Sequence, residues 1–466
     1  MSHTIQHEVD AASSQSHVDR LIHKHFANHE GKLFAGGVAV SELVAAYGSP
    51  LFIYDRSVME RQLAALRRAF SSRVDIFYSM KANPARQILE FFVGEACGIE
   101  IASVGELKQA IAAGCSPEQI LFAGPCKRDE ELNEAVVQGV REIHVESIAE
   151  AVRLNNIAKS HDVVARVALR INPAEAAQGG AMRMGGKPSP FGIDEEQMDD
   201  ALDAILPLPH VRVCGVHLFT GTQILDHGIL ITQYRKAIEV AERVARRLPH
   251  LLESIDFGGG LGIPYFERES ELDLERFTAE FQQLLLDIDS SPLLAYSRLI
   301  IEPGRFLTGE AGLYVSRVIE VKESRGKTFA ITDGGMHHHL AASGNLGQTI
   351  KRNYPIAVVN RLDSPVEQKT EVVGPLCTPL DVLGRGVPLP SPAEGDLMCV
   401  FQSGAYGRSS SPSGFLSHPT PAEVMVGNGR HWLIRRAGDI EDYSRHQIPT
   451  DSVMTSRSRT KSTVGQ

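Results

Sequence analysis

A lysine, a carboxylate, an arginine and a run of glycines stand where apolar segments of this chain stop. Lys81 ends the apolar run in FYSMKANP, Gly258, Gly259 and Gly260 sit in DFGGGLGIPY, and Glu302 and Arg305 in EPGR. Singly, each has a plain reading. Lysine often closes a strand as a solvated residue, and a glycine run makes a tight turn. Together they describe a site for an anionic group that also carries chemistry. Glycine lets backbone N–H groups approach a phosphate, and Arg305 would add a charge-assisted contact. A lysine facing that phosphate, with a carboxylate beside it, suits pyridoxal 5'-phosphate. Lys81 would hold it as a Schiff base, helped if burial lowers the lysine pKa. Glu302 would keep the ring nitrogen protonated, so that the ring takes up carbanion electrons. Phe219, two residues after His217 in HLFTGTQ, could stack on the ring.

These residues meet only if the elements before them converge. From residue 57 amphipathic helices alternate with short apolar segments, and Ser57 with Glu60, Ser103 with Glu106 and Ser147 with Glu150 have capping-box spacing. The first helix carries Val58, Met59, Leu63, Leu66 and Phe70, and the second runs through Leu107 and Ile111 to a stop at Gly114. Between helices, DIFYSM, GIEIAS, QILFAG, EIHVES, ARVALRIN, GVHLF, SIDFGG and LIIEPG read as eight buried parallel strands. Eight βα repeats predict an α/β fold, a (β/α)8 TIM-type barrel over residues 50–305, with an open doubly wound sheet as the alternative. In a barrel all the residues above fall on the rim at the strands' C-terminal ends. The loops after the last two strands are where such barrels often hold phosphate.

After residue 306 the rhythm changes. LYVSRVIEV, KTFAITD, TEVVG, GDLMCVFQ and AEVMV read as strands, with GNG at 427–429 as a hairpin turn. A second, β-rich domain is therefore expected over 306–440, joined by an N-terminal segment, 19–49. Residues 1–18 and 441–466 are expected to be disordered.

The chain has 466 residues, a net charge of −10 and no basic block in its body, so nucleic acid and anionic membrane are poor partners. No apolar run is long enough to cross a membrane, and the polar opening does not read as a signal peptide. Cys97, Cys115, Cys126, Cys214, Cys377 and Cys399 lack CxxC spacing, which fits a reducing cytoplasm better than a disulfide scaffold or zinc site. The adjacent His337, His338 and His339 have no ligand geometry of their own, so no metal is expected; they read as a substrate-side loop.

The motifs FYSMKANP, HLFTGTQ, DFGGGLGIPY, EPGRF, ITDGGM, GPLCTPLD and GAYG occur in this order over about residues 30–435. As a set they resemble the pyridoxal-phosphate-dependent decarboxylases of the alanine-racemase fold, the group of diaminopimelate, ornithine and arginine decarboxylases. The resemblance implies that Lys81 binds the cofactor and that Glu302 meets its pyridine nitrogen. It gives the phosphate to Thr222, Gly259, Gly260, Gly304, Arg305 and Tyr406. It makes Cys377 the acid that returns a proton to Cα after carbon dioxide leaves, acting across a homodimer interface. A racemase of this fold would instead be expected to have arginine near the ring nitrogen and tyrosine as the opposing base. Relatives that lose the cofactor and act only by binding exist, but they would not be expected to keep Lys81, Glu302 and Cys377.

Three departures bear on the substrate. Phe219 stands where many members stack a histidine. Thr378 follows Cys377 where members acting on diamino acids usually carry an acid, although Asp333 and Asp381 remain candidates for meeting an amine. GAYG also runs into RSSSPSGFLSHPTPAEV rather than an asparagine-containing stretch. With MRMGGKPSPFGID and FLSHP, these features resemble a branch that decarboxylates amino acids built into larger molecules: glutamate on an acyl-carrier protein, or conjugates in siderophore assembly. A conjugated or carrier-linked substrate is the expectation, and meso-diaminopimelate the alternative.

Overall fold

In a computed structural model of the chain, described for residues 16–174, 182–183, 188–348 and 350–448, the eight expected strands close on themselves. They are β1 (Val74–Ser79), β2 (Gly98–Ile101), β3 (Ile120–Phe122), β4 (Glu142–Val145), β5 (Ala165–Asn172), β6 (Val211–Leu218), β7 (Ser254–Asp256) and β8 (Arg298–Ile301). Each is parallel to the next, and β8 returns to β1 with Leu299 opposite Val74. That last pairing excludes the open sheet. β2, β3 and β4 are buried along their whole length, as strands covered by helices outside and side chains inside must be.

The helices follow their apolar stripes. In the helix Arg56–Phe70 the residues Val58, Met59, Leu63, Leu66 and Phe70 are all buried, each worth about 1.5–3 kcal/mol of apolar transfer. Its cap differs from expectation. Asp55, not Ser57, caps it, accepting from the Ser57 N–H, while Glu60 pairs with Arg56. Ser103 and Ser147 do cap their helices, through the N–H groups of Glu106 and Glu150. Both glutamates reach one residue further back than a capping box requires, to Ala102 and Glu146.

The β domain is built around the long strand Gly312–Ser324, which pairs antiparallel with Lys327–Thr332, Leu397–Val400 and Leu51–Asp55. Leu51–Asp55 lies inside the segment assigned to the barrel from sequence, yet its ladder partners are β-domain strands on both sides, Gly312–Ser324 and Ala422–Gly427. Its buried run LFIYD gives no sign of which sheet it joins. Two further strands escaped the sequence reading: Ile356–Val358, three residues long, and Val382–Leu389, interrupted by Gly384, Gly386 and Pro388. Asn428 and Gly429 adopt positive φ in the expected hairpin turn.

The N-terminal segment packs Leu21, Leu33, Val40 and Leu43 into one cluster with Leu51, Ile53, Leu313, Val315 and Val424. His17 and Val18, read as disordered, begin the helix His17–His25, capped by Ser16, and Ile440–Tyr443 forms a single helical turn. Residues 1–15 and 449–466, and most of MRMGGKP, lie outside the described residues.

Candidate active site

The rim residues expected to act together are held by loops that lock to one another. After β6, Gln223 bonds through both ends of its amide to the backbone of Ile263, in the loop after β7. Ile224 N–H donates to Gly260 O and Gly262 N–H to Ile224 O, both at 2.9 Å. The glycines are needed for this approach. A Cβ on Gly259 would stand 2.5 Å from the Glu302 carbonyl oxygen, and one on Gly260, where φ is +101°, 2.7 Å from Gly221 O. Gly304 is equally tight: its Cβ would meet Ala82 Cβ at 2.9 Å, beside Lys81. The loops after β1, β6, β7 and β8 thus form one packed unit around Lys81.

Lys81 sits in a 3-10 turn, Met80–Ala82, directly after β1. Its side chain is 46% exposed, open to the rim, and Nζ lies 3.1 Å from both oxygens of Glu100 on β2. Glu100 is buried and also accepts from Ser79 Oγ. This corrects the expectation that burial would lower the lysine pKa. Desolvation does pull it down, but Glu100, with Tyr406 and Glu302, more than offsets this and holds it above the usual value. Glu106, seen in sequence only as a capping residue, is pushed up to about 7, mainly by burial and also by Glu100.

Glu302, after β8, is buried and has one oxygen engaged. Oε2 lies 3.3 Å from His217 Nε2, while Oε1 has no hydrogen-bond partner. Desolvation would raise its pKa, but His217, His144 and Lys81 outweigh that and hold it well below the carboxylate range. Phe219 lies against the glycine loop, with Gly258 and Gly259 beside its ring. The Arg305 guanidinium lies 4.6 Å from the centre of the Tyr406 ring and 5.4 Å from that of Tyr265, and donates to Tyr265 Oη at 2.9 Å. Tyr265, the last residue of DFGGGLGIPY, was not assigned from sequence, nor was Glu100, which sits mid-strand in GIEI between two isoleucines.

Whether pyridoxal phosphate fits can be judged from what these residues leave open. Gly259 and Gly304 are buried, yet their N–H groups donate to no partner among the described residues. Burying such groups costs free energy unless a ligand accepts from them. Glu302 Oε1 lacks a donor, which a protonated pyridine nitrogen would supply, and the Lys81 amine stands within the same rim. The donor set fits the cofactor.

The β-domain candidates divide. Cys377 is exposed and makes no contact with Lys81 among the described residues. Thr378 is half-buried and accepts from Leu380 N–H. Asp381 is held by the backbone. Its two oxygens accept from Met336 N–H at 2.6 Å and Leu376 N–H at 2.9 Å, and it fills the space left by Gly335 and Gly374, so it builds the loop that carries Cys377. Asp333 is likewise spent, accepting from Ser49 Oγ at 2.5 Å and Arg317 N–H at 2.8 Å. His337, His338 and His339 are buried core residues, not a substrate-side loop. His338 reaches Tyr314 Oη and Pro419 O, and His339 reaches Ser403 Oγ.

The family model for the pyridoxal-binding domain of pyridoxal-dependent decarboxylases matches residues 56–309. An L-glutamyl-[BtrI acyl-carrier protein] decarboxylase of Niallia circulans is 38% identical over 89% of this chain and 97% of its own. A 2-[(L-alanin-3-ylcarbamoyl)methyl]-2-hydroxybutanedioate decarboxylase of Staphylococcus aureus is 32% identical over 83% of this chain and 97% of its own. Among solved structures, diaminopimelate decarboxylase from M. jannaschii with L-lysine superposes with a TM-score of 0.85 at 26% identity, covering 92% of this chain and 99% of that one. With the closed barrel and the open donors on its rim, these likenesses place the chain in the diaminopimelate and ornithine decarboxylase family, whose members are pyridoxal-phosphate-dependent carboxy-lyases.

Proposed function

We propose that this decarboxylase acts on the free α-amino acid end of a conjugated or carrier-linked substrate, in siderophore or other secondary-metabolite assembly. The observation that carries the reading is the loss of acidic groups where a diamino acid would need one. Thr378 follows Cys377, and Asp333 and Asp381 are both consumed inside the β domain. A hydroxyl cannot match the charge-assisted bond that a distal ammonium seeks. Two relatives described above are named for substrates of the conjugated kind, one on a carrier protein and one a citrate-like amide.

Bound pyridoxal phosphate supplies the electron sink for the pair released when carbon dioxide leaves. The chain's own residues prepare and finish the reaction. Thr222, Gly259, Gly260, Gly304, Arg305 and Tyr406 would hold the phosphate, Phe219 would cover a ring face, and Glu302 would meet the ring nitrogen. Glu100, bonded to Lys81 Nζ through both oxygens, would hold the lysine side chain in place on the rim. Cys377 Sγ delivers the proton to Cα. Cys377 would act from the partner chain of a homodimer, for which the exposed Leu380, Phe415 and Leu416 offer apolar surface. Six unpaired cysteines fit a cytoplasmic enzyme.

The test is carbon dioxide release from a panel: diaminopimelate, ornithine, lysine, glutamate, carrier-linked glutamate and a citrate-linked diamino acid, with Cys377→Ala as control. Release from a conjugate alone is expected. Efficient release from meso-diaminopimelate would replace this reading with lysine biosynthesis, which the likeness to diaminopimelate decarboxylases favours as the second reading.

A further inference from the structure

Beneath Glu302 a chain of buried side chains crosses the barrel. Ser254 Oγ donates to Glu142 Oε2 at 2.6 Å, and Glu142 Oε1 lies 3.4 Å from His144 Nε2. His144 Nδ1 and His217 Nδ1 are 3.0 Å apart, and His217 Nε2 lies 3.3 Å from Glu302 Oε2. Asp256, at the end of β7, stands alongside. Its Oδ1 accepts from Gly258 N–H at 2.8 Å, and its Oδ2 has no partner. One ring-nitrogen or carboxylate-oxygen atom from each of His144, His217, Asp256 and Glu302 lies within 4.8 Å of the other three, and all four residues are buried.

Protons can be counted along this chain. Two neutral imidazoles bring two N–H groups. One lies between His144 Nδ1 and His217 Nδ1, at 3.0 Å. Donated from His144, it leaves the single proton of His217, which burial keeps neutral, on Nε2, facing Glu302 Oε2. Asp256 and Glu302 present a separate choice, because adjoining buried carboxylates do not both ionise.

We propose that His144 and His217 are positioning residues that decide which of these two carboxylates carries the charge. The imidazole chain ends on Glu302, so Glu302 is the anion and Asp256 keeps the proton. Glu302 Oε1 is then an anionic acceptor aimed at the cofactor's ring nitrogen. The other groups facing this chain are Arg170 from β5, which disfavours a charged His217, Lys81 from the rim, which favours an ionised Glu302, and the Tyr234 hydroxyl near Asp256. Burial and Glu302 raise Asp256 well above the carboxylate range, while Glu302 moves down, in the same sense as the geometry. The inference rests on pyridoxal phosphate as the cofactor and adds to it the two residues that set its acceptor.

The test compares binding of pyridoxal phosphate with binding of its 1-deaza analogue, whose ring carries C–H in place of the nitrogen. The stripped dimer is titrated with each and read by cofactor absorbance. The wild type should prefer the natural cofactor by tenfold or more. His217→Asn and His144→Gln should bring that preference below threefold, with circular dichroism unchanged. Adding Asp256→Asn to His217→Asn should restore it, since Glu302 then has no neighbour with which to share a proton. An unchanged preference in either folded single variant, an equal loss of affinity for both cofactors, or failure of the added Asp256→Asn to rescue would each overturn the proposal. His144→Gln keeps the test alive if His217→Asn does not fold. A wild type that binds neither compound would instead sink the cofactor assignment.

Discussion

Two groups of buried histidines in this molecule have opposite surroundings. His144 and His217 lie inside the barrel between carboxylates, and the atoms around them are left open: His144 Nε2, His217 Nε2, Asp256 Oδ2 and Glu302 Oε1. His338 and His339 lie in the β domain among neutral partners, the Tyr314 and Ser403 hydroxyls and the Pro419 carbonyl. The same contrast separates Glu302, with one oxygen free, from Asp333 and Asp381, whose oxygens are consumed by the backbone or Ser49. His337, beside His338, has neither ring nitrogen bonded among the described residues, so the contrast belongs to His338 and His339 and not to the whole β domain.

Substitutions should respect that division, and the largest effect is expected at the rim. Lys81→Ala should lower kcat/KM by about 10³-fold or more and abolish the cofactor's visible absorbance, with Tm unmoved by circular dichroism. An intact absorbance band would remove Lys81 from the site. Cys377→Ala should cut kcat by about 10²-fold with little change in KM. Mixed with Lys81→Ala, it should recover roughly a quarter of wild-type activity, because about half the dimers become mixed and each has one complete site. No recovery would break the two-chain reading.

At the β-domain histidines the effect should fall on stability instead. His339→Ala removes a fully buried ring and should cost about 2–4 kcal/mol in denaturant unfolding, with kcat nearly unchanged. Burial also holds His338 and His339 down to about 3, against about 6.5 in an unfolded chain. Between those values the unfolded chain binds more protons. Their contribution is therefore complete above about pH 6.5 and is lost as pH falls toward 3. His339→Gln should flatten the acid-side loss of stability by up to about 1.4 kcal/mol per pH unit. An unchanged slope would show that this ring is not held neutral. The smallest effect is expected at Thr378. Thr378→Glu should shift preference toward diamino acids by about tenfold, worth about 1.4 kcal/mol, and no shift would remove Thr378 as a selector.

Much of the barrel was legible because its strands are short, apolar and separated by helices with capping serines. The rim residues were legible where glycine or proline broke a strand, as at Lys81, Gly259 and Glu302. Glu100 and His144 were not, since a polar residue in the middle of a four-residue buried strand gives no local signal of what it faces. Asp381 misled for the opposite reason. Its motif position suggested a substrate contact, while the glycines at 335 and 374, which open the space it fills, lie far apart in sequence. Leu51–Asp55 was assigned to the wrong unit because a buried strand looks the same in either sheet.

That strand has a consequence for how the chain is made. Leu51 pairs with Ala422 and Tyr54 with Gly312, so the β domain's sheet stays incomplete until nearly the whole polypeptide has emerged. The barrel, built from successive neighbours, can form during synthesis, whereas the β domain must wait and then close over it, a slow, non-local step. Until then the LFIYD strand is an unpaired apolar edge ahead of a nearly complete enzyme. Production of this protein should accordingly be limited by how long that edge stays exposed, and a truncation ending after the barrel should aggregate rather than yield a smaller binding domain.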